Sequence, residues 1–152
     1  MAKFSHISST GDIRMVDISD KPQTNREAVA AGKICMQPET IAAVVADRLP
    51  KGNVLTTAKL AGIQAAKQTA ALIPLCHPLS IDWVDIDIEP VKDGFEIQAC
   101  IRVREATGIE MEALTAVAVT ALTIYDMCKS ADKNMRISDI QLLRKIGGKS
   151  DR

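Results

Sequence analysis

The sequence is poor in aromatic residues and carries no excess charge of either sign. Its only aromatic residues are Phe4, Trp83, Phe95 and Tyr125, and its 19 basic residues balance 19 acidic ones. So few rings cannot form a stacking platform for single-stranded nucleic acid, and a neutral chain lacks the positive charge of a protein that coats DNA. We therefore expect no nucleic-acid partner and a core built from Ile, Val, Leu, Ala and Met.

The sequence also lacks paired cysteines and a long apolar run. Its four cysteines form no CxxC or CxH pair, which argues against zinc, and a chain with a large core and no secretory leader gives no reason to expect disulfides. The longest charge-free run in the apolar C-terminal helix candidate covers residues 113–125, whereas a membrane span needs about 20 residues. We expect a reduced, cytoplasmic protein with no membrane segment and no metal site.

What remains is one apolar domain in which strands and helices alternate. The chain of 152 residues, 47% of them hydrophobic, suits a single domain over 1–152 with a flexible arm at 1–13 and a flexible tail at 147–152. Hydrophobic periodicity predicts strands near 26–36, 81–89, 95–104 and 135–146, and helices near 40–49, 53–72 and 107–131. This βαββαβ order predicts an α+β, ferredoxin-like sandwich, an antiparallel sheet with helices on one face.

Local signals add detail to this order. Residues 24–27 match a helix capping box, but a strand is favoured there because a clear helix opens at Pro38. A change of alternation phase at Trp83–Val84 predicts a β-bulge. A second capping box, Thr107 to Glu110, opens the last helix and accounts for Glu110 as a capping residue.

His77 and the pair Asp126–Lys129 are the sharpest candidates for chemistry. His77 lies in a proline-bracketed loop, where its imidazole either exchanges protons near neutral pH or bonds a backbone carbonyl. Asp126 and Lys129 are three residues apart and so are neighbours on one helix face. They form either a surface ion pair of little consequence or, in a helix expected to be mostly buried, an acid and a base.

Glu112 lies in the first turn of the same helix, where the helix dipole favours a carboxylate but capping does not explain it. Fourteen residues separate Glu112 from Asp126, a distance of about 21 Å along a helix axis. One small ligand cannot easily touch both residues in one subunit. If both belong to an active site, two subunits must share it.

Five lysines provide a third indication of function. They either form a solvated face or bind phosphate groups as point charges. They stand at positions 51, 59, 67, 145 and 149. The segment Gly147–Ser150 resembles the end of a P-loop, but Leu143 occupies the position of a required glycine and no helix follows. This segment is still able to fold over an anion as a lid.

Five segments in order resemble the molybdenum cofactor biosynthesis protein C family, and the resemblance covers nearly the whole chain. They are KGNV at 51–54, AGIQAAK at 61–67, IPLCHPL at 73–79, GIEMEALT at 108–115 and IYDMCK at 124–129. The resemblance implies a phosphorus–oxygen lyase, a cyclic pyranopterin monophosphate synthase, that releases pyrophosphate from a cyclised dihydro-GTP. It also implies a ferredoxin-like subunit in a homohexamer, a trimer of dimers with active sites at dimer interfaces.

The resemblance also assigns roles to residues. It implies that Asp126 and Lys129 are the catalytic pair. The implied substrate-binding residues are Leu75, Cys76, His77, Met111, Glu112, Lys51, Lys67, Lys145 and, from the partner subunit, Arg26. We hypothesise that burial and neighbouring lysines lower the pKa of Lys129 and keep it partly neutral. No cofactor is expected and a need for Mg²⁺ stays open; the alternative function is a non-catalytic ferredoxin-like module that binds a ligand or RNA.

Overall fold

One antiparallel sheet of four strands carries all the helices on one face. The computed structural model describes residues 5–152. Its elements are β1 (Thr24–Cys35), α1 (Pro38–Val45), α2 (Val54–Lys67), α3 (Thr69–Leu72), β2 (Trp83–Val91), β3 (Gly94–Glu105), α4 (Glu110–Cys128) and β4 (Arg136–Ile146). The strands lie in the order β2-β3-β1-β4, and each neighbouring pair is antiparallel. The predicted α+β, ferredoxin-like architecture is confirmed.

The helices are shorter than their hydrophobic periodicity predicts. The segment before Pro38 is a strand, as favoured, and α1 ends at Val45. The predicted helix at 53–72 begins as expected, with the Asn53 side chain accepting a hydrogen bond from the Thr56 N–H, but it is interrupted at Gln68. There the buried Thr69 hydroxyl donates back to the Ala65 carbonyl, and a separate turn, α3, follows.

The two faces of the sheet differ in polarity. The inner face carries fully buried side chains, among them Ile34, Ile86, Phe95, Ile97 and Ile101. On the outer face, the Glu27 carboxylate pairs with Arg102 of β3 and Arg144 of β4 at 2.7 and 2.5 Å. This alternation gives one dry and one wet face, as expected for an antiparallel sheet covered on one side.

The β-bulge predicted at Trp83–Val84 is wrong. Trp83 pairs with Arg102 and Val84 with Ile101 in regular register, so the phase change marks the start of the strand rather than a bulge. Trp83 lies on the outer face, with the Arg102 guanidinium 4.4 Å from its ring centroid. The register shifts lie instead between β1 and β4.

Helix α4 is the central element, since it packs against α2 and against strands β1, β3 and β4. Among the helices of residues 5–152, α4 alone suits a membrane span by length and composition, but 56% of that window is buried inside the protein, as in the core helix of a globular domain. Helix α2 approaches α4 closely at Gly62, where an added Cβ would collide with the Thr120 hydroxyl and lie 3.1 Å from the Ala116 carbonyl oxygen. Lys51, before α2, contacts Asp126 near the end of α4, so the two helices are antiparallel.

The terminal segments that the structure describes each form a local hydrogen-bonded turn. Ile7 and Ile13 form an isolated antiparallel bridge, and the backbones of Lys145 and Arg152 exchange two hydrogen bonds of 2.9 Å. Residues 1–4 of the predicted arm lie outside the described residues. Flexibility of the arm and of the tail stays a prediction.

Candidate functional site

A cavity of about 740 Å³ opens at the N-terminal end of α4. It lies between the loop that follows α3, the first turn of α4 and the end of the sheet at which β1 begins and β4 ends. Seven of the residues singled out in the sequence line this cavity: Arg26, Leu75, Cys76, His77, Met111, Glu112 and Lys145. Residues far apart in the sequence therefore converge on one cavity in a single chain. Arg26, which was expected from the partner subunit, lies in the same cavity as His77 and Glu112 of its own chain.

His77 is oriented in the cavity by the N-terminal segment. Its Nε2–H donates a hydrogen bond of 2.7 Å to the Val16 carbonyl oxygen, which can only accept. In the neutral ring Nδ1 is then the nitrogen with the free lone pair. Of the two alternatives for His77, the carbonyl bond is found in the structure, and His77 also lines the cavity; proton exchange by its imidazole stays a prediction.

Glu112 is a buried carboxyl group with an altered acidity. Glu112 is only 4% exposed. This burial, together with the nearby charge of Glu110, raises the pKa of Glu112 to about 7. Burial, followed by the Glu112 charge, also raises the pKa of the Cys76 thiol. A carboxyl group with a pKa near 7 can both give and take a proton at neutral pH.

The cations of the cavity are partly committed to other groups. Lys145 Nζ lies 3.1 Å from Glu110 Oε1, and Arg26 donates from Nε and Nη2 to the carbonyl oxygens of Glu105 and Ala106 at 3.0 and 3.2 Å. The predicted capping role of Glu110 is wrong, because α4 begins at Glu110 itself and its N-cap, Ile109, makes no side-chain cap. The Glu110 carboxylate pairs with Lys145 instead.

Asp126, Lys129 and Lys51 form a separate cluster at the other end of α4. Lys129 Nζ lies 2.7 Å from Asp126 Oδ1, and Lys51 Nζ lies 3.5 Å from Asp126 Oδ2 and donates to the Asp126 carbonyl oxygen at 3.0 Å. The Asp126 and Lys129 side chains are 60% and 55% exposed in the single chain, so the expected burial of the pair is wrong at this level. The last turn of α4 emerges from the core here.

The acidities at this end follow from the exposed ion pair. The hydrogen bond from Lys129, and then the charges of Lys129 and Lys51, lower the pKa of Asp126. The same hydrogen bond raises the pKa of Lys129. The hypothesis of a partly neutral Lys129 is therefore wrong for the isolated chain, because the Asp126 carboxylate stabilises the ammonium group and outweighs a smaller desolvation effect.

The predicted site residues thus fall into two groups at opposite ends of α4. Glu112 and Asp126 are 14 residues apart, about 21 Å along the helix. Lys67 belongs to neither group; it is exposed at the C-terminal end of α2 and does not line the cavity. Within residues 5–152, no group of three His, Cys, Asp or Glu side chains is placed to hold a metal ion.

Two cavity-lining lysines were not among the residues to which the family resemblance assigned a role. Lys149 lines the cavity beside Gly148 and Ser150. The sequence had indicated it only as one of several lysines that either form a solvated face or bind phosphate. Lys21, which precedes β1 in the N-terminal segment, also lines the cavity, and nothing in its sequence context indicates it.

Comparison with known proteins gives consistent matches over the whole chain. The MoaC family profile matches residues 15–148. A "cyclic pyranopterin monophosphate synthase" of Desulfatibacillum aliphaticivorans is 55% identical over 99% of this chain and 96% of its own length, and one of Nostoc is 53% identical over 98% and 90%. A "molybdenum cofactor biosynthesis bifunctional protein" of Chlorobaculum tepidum is 58% identical over 97% of this chain, which spans 47% of that longer relative.

Proposed function

The chain belongs to the MoaC family, and from this premise we propose that it is an enzyme of molybdenum cofactor biosynthesis that forms cyclic pyranopterin monophosphate. Its relatives of similar length carry the name of that synthase. The proposed reaction is that of a lyase: a cyclised dihydro-GTP rearranges and pyrophosphate leaves. The non-catalytic binding module is not favoured, because the matched relatives are named as enzymes.

We further propose that two copies of the chain share each active site, within the hexamer that the family resemblance implies. The observation that supports this is the separation of the two residue groups. One end of α4 carries a cavity with Glu112 and His77, and the other carries an exposed Asp126 flanked by two lysines. In a two-fold symmetric pair of copies, the Asp126 cluster of each copy would cover the cavity of its partner. The pair would then contain two equivalent sites, each with the cavity of one copy and the Asp126 cluster of its partner.

The residue types suit the proposed chemistry. Cations hold a triphosphate and stabilise the charge that develops on departing pyrophosphate. Ring opening and closure require protons to move on and off nitrogen and oxygen, for which Glu112, Asp126 and Lys129 are the proposed carriers. Lys51, beside Asp126, adds a positive charge to the same cluster.

The first experiment measures pyrophosphate release from the cyclised substrate. The wild-type protein is expected to release it, and Asp126→Ala is expected to lose the activity while remaining folded, because Asp126 lies outside the core of the single chain. Asp87→Ala, which removes an exposed aspartate from the outer sheet face, is the matched control. Full turnover by Asp126→Ala would contradict the catalytic role.

The second experiment tests the shared site by mixing two inactive variants. Asp126→Ala and His77→Ala are unfolded together and refolded at equal amounts. Random pairing makes about half of the dimers mixed, with one copy of each variant. If each site takes His77 from one copy and Asp126 from its partner, one of the two sites in a mixed dimer is intact. About a quarter of the wild-type activity should therefore return. If the mixture is no more active than the separate variants, each site is confined to one chain.

A further inference from the structure

The hydroxyl group of Thr24 is buried beside the cavity without a hydrogen-bond partner. Thr24 is the first residue of β1 and lines the cavity. Within residues 5–152, its Oγ1 is the only buried side-chain nitrogen or oxygen that has no partner. Buried polar groups of native proteins are almost all paired, because an unpaired one is costly. The unpaired hydroxyl therefore needs an explanation.

The position of Thr24 in β1 places its side chain on the inner face of the sheet. Successive side chains of a strand point to opposite faces, so Thr24 shares its face with Arg26 and with the buried Ala28. The helices cover this face, and Arg26 lines the same cavity as Thr24. The hydroxyl therefore belongs to the cavity side of the sheet and not to its outer, solvated side.

The backbone acceptors beside Thr24 are directed at another side chain. Thr24 pairs with Glu105 at the end of β3. Arg26 donates from Nε to the Glu105 carbonyl oxygen and from Nη2 to the Ala106 carbonyl oxygen, at 3.0 and 3.2 Å. These two carbonyl oxygens bind the guanidinium group, whereas neither binds the Thr24 hydroxyl.

We propose that Thr24 is a further substrate-binding residue, whose hydroxyl forms a hydrogen bond with an uncharged polar group in the nucleoside part of the substrate, its base and sugar. This inference rests on the proposed function, which supplies a substrate derived from GTP. A hydroxyl group both donates and accepts, so it can bind an amide, an amino group or another hydroxyl. Within residues 5–152, no ammonium or guanidinium group donates to Oγ1. Burial of a phosphate charge at this point would therefore be far more costly than burial of an uncharged group.

A rotation of the side chain brings the hydroxyl to the ligand. Thr24 lines the cavity although its Oγ1 is covered by protein atoms, so other atoms of this half-buried residue form the lining. The staggered χ1 rotamers of threonine exchange the positions of its hydroxyl and methyl groups. A ligand that pairs with the rotated hydroxyl removes the cost of the unpaired group, which only the free protein bears.

The test compares Thr24→Val, which replaces the hydroxyl by a methyl group of similar size, with Thr24→Ser, which keeps the hydroxyl. In assays of pyrophosphate release, Thr24→Val should raise the KM for the cyclised substrate about tenfold, the effect of losing one hydrogen bond, with little change in kcat. Thr24→Ser should keep a KM close to that of the wild type. Thr57→Val is the matched control, because Thr57 is an exposed threonine of α2 that does not line the cavity.

Thermal unfolding without ligand provides a second readout, in which the expected effect has the opposite sign. In the free protein Thr24→Val removes an unpaired buried hydroxyl, and valine suits a strand at least as well as threonine does. The melting temperature should therefore rise by about 2–4 °C although substrate binding is weaker. A residue with a merely structural role would lose stability and activity together.

Three results would overturn the inference. They are an unchanged KM in Thr24→Val, an equal rise of KM in Thr24→Ser, and a melting temperature of Thr24→Val below that of the wild type. Inhibition by inorganic triphosphate separates the two parts of the substrate: its inhibition constant should not change in Thr24→Val, and a rise in parallel with KM would assign the hydroxyl to the phosphates and contradict the proposal. Absence of pyrophosphate release by the wild-type protein would overturn the proposed function instead.

Discussion

Replacement of Glu112 by glutamine should stabilise the protein, and only at neutral and higher pH. The variant keeps the volume and hydrogen-bonding capacity of the side chain and removes its charge. Glu112 is 4% exposed and its pKa is raised from 4.5 to about 7, chiefly by burial. The folded protein therefore prefers the protonated carboxyl group, and a neutral amide resembles that form.

The sign and size of the effect follow from linkage. Because the folded-state pKa is above the unfolded one, the folded state binds more protons between pH 4.5 and about 7, and stability falls as pH rises through that window. A shift of this size corresponds to about 3 kcal/mol at pH 8. In a shared site, two ammonium groups and one carboxylate of a second copy offset part of this cost, so we expect Glu112→Gln to gain about 1–3 kcal/mol at pH 8.

Urea unfolding at pH 5 and pH 8, at one fixed protein concentration, measures the effect. The gain should be near zero at pH 5, where Glu112 is protonated in the folded wild type. Glu39→Gln is the control, since Glu39 is an exposed glutamate in the first turn of α1 and has no burial to relieve. Equal or lower stability of Glu112→Gln at pH 8 would refute the argument that burial dominates at this carboxyl group.

Two further substitutions test the packing that positions the site. The Asp132 carboxylate, 2% exposed, accepts hydrogen bonds from the Gln37 and Asn134 N–H groups, which lower its pKa, so Asp132→Asn should cost about 2 kcal/mol in urea unfolding at pH 7. The difference in the free energy of unfolding between the wild type and Asp132→Asn should decrease as the pH falls through the lowered pKa of Asp132. A difference that does not change with pH would contradict this explanation. Gly62→Ala should cost about 2 kcal/mol in thermal unfolding, because overpacking against α4 exceeds the gain in helix propensity; an unchanged Tm would show that the helices separate freely.

The fold was predictable because its signals are local and repeat along the chain. Alternation over residues 95–104 and the Asn53 cap needed no tertiary information, and both are found in the structure. The capping box at Thr107 failed because Glu110 found a stronger partner, Lys145, through a contact 35 residues away in the sequence. A local sequence motif cannot show that a residue distant in the sequence will compete for the same side chain.

Part of the cavity lining was predictable from the sequence, but the electrostatics of its residues were not. The family resemblance indicated Glu112, His77 and Asp126, and helix geometry alone separated Glu112 from Asp126. The direction of each pKa shift depends on exposure, which the periodicity of an Ala-rich helix does not reveal. Lys129 lies in the exposed last turn of α4, and its pKa is raised rather than lowered as expected. The position of Lys21 at the cavity follows only from the path of the N-terminal segment.

The two ends of α4 differ in how their ionisable groups are protonated at neutral pH. At the exposed end the pKa of Asp126 is lowered and that of Lys129 raised, so both groups stay charged at neutral pH and neither is poised to exchange a proton. At the buried end, desolvation has moved Glu112 toward neutrality. Covering the exposed pair with the cavity of a second copy would desolvate Lys129 and lower its pKa. In the proposed shared site, subunit pairing would therefore do more than bring the residues together, because it would weaken the preference of Lys129 for its charged form.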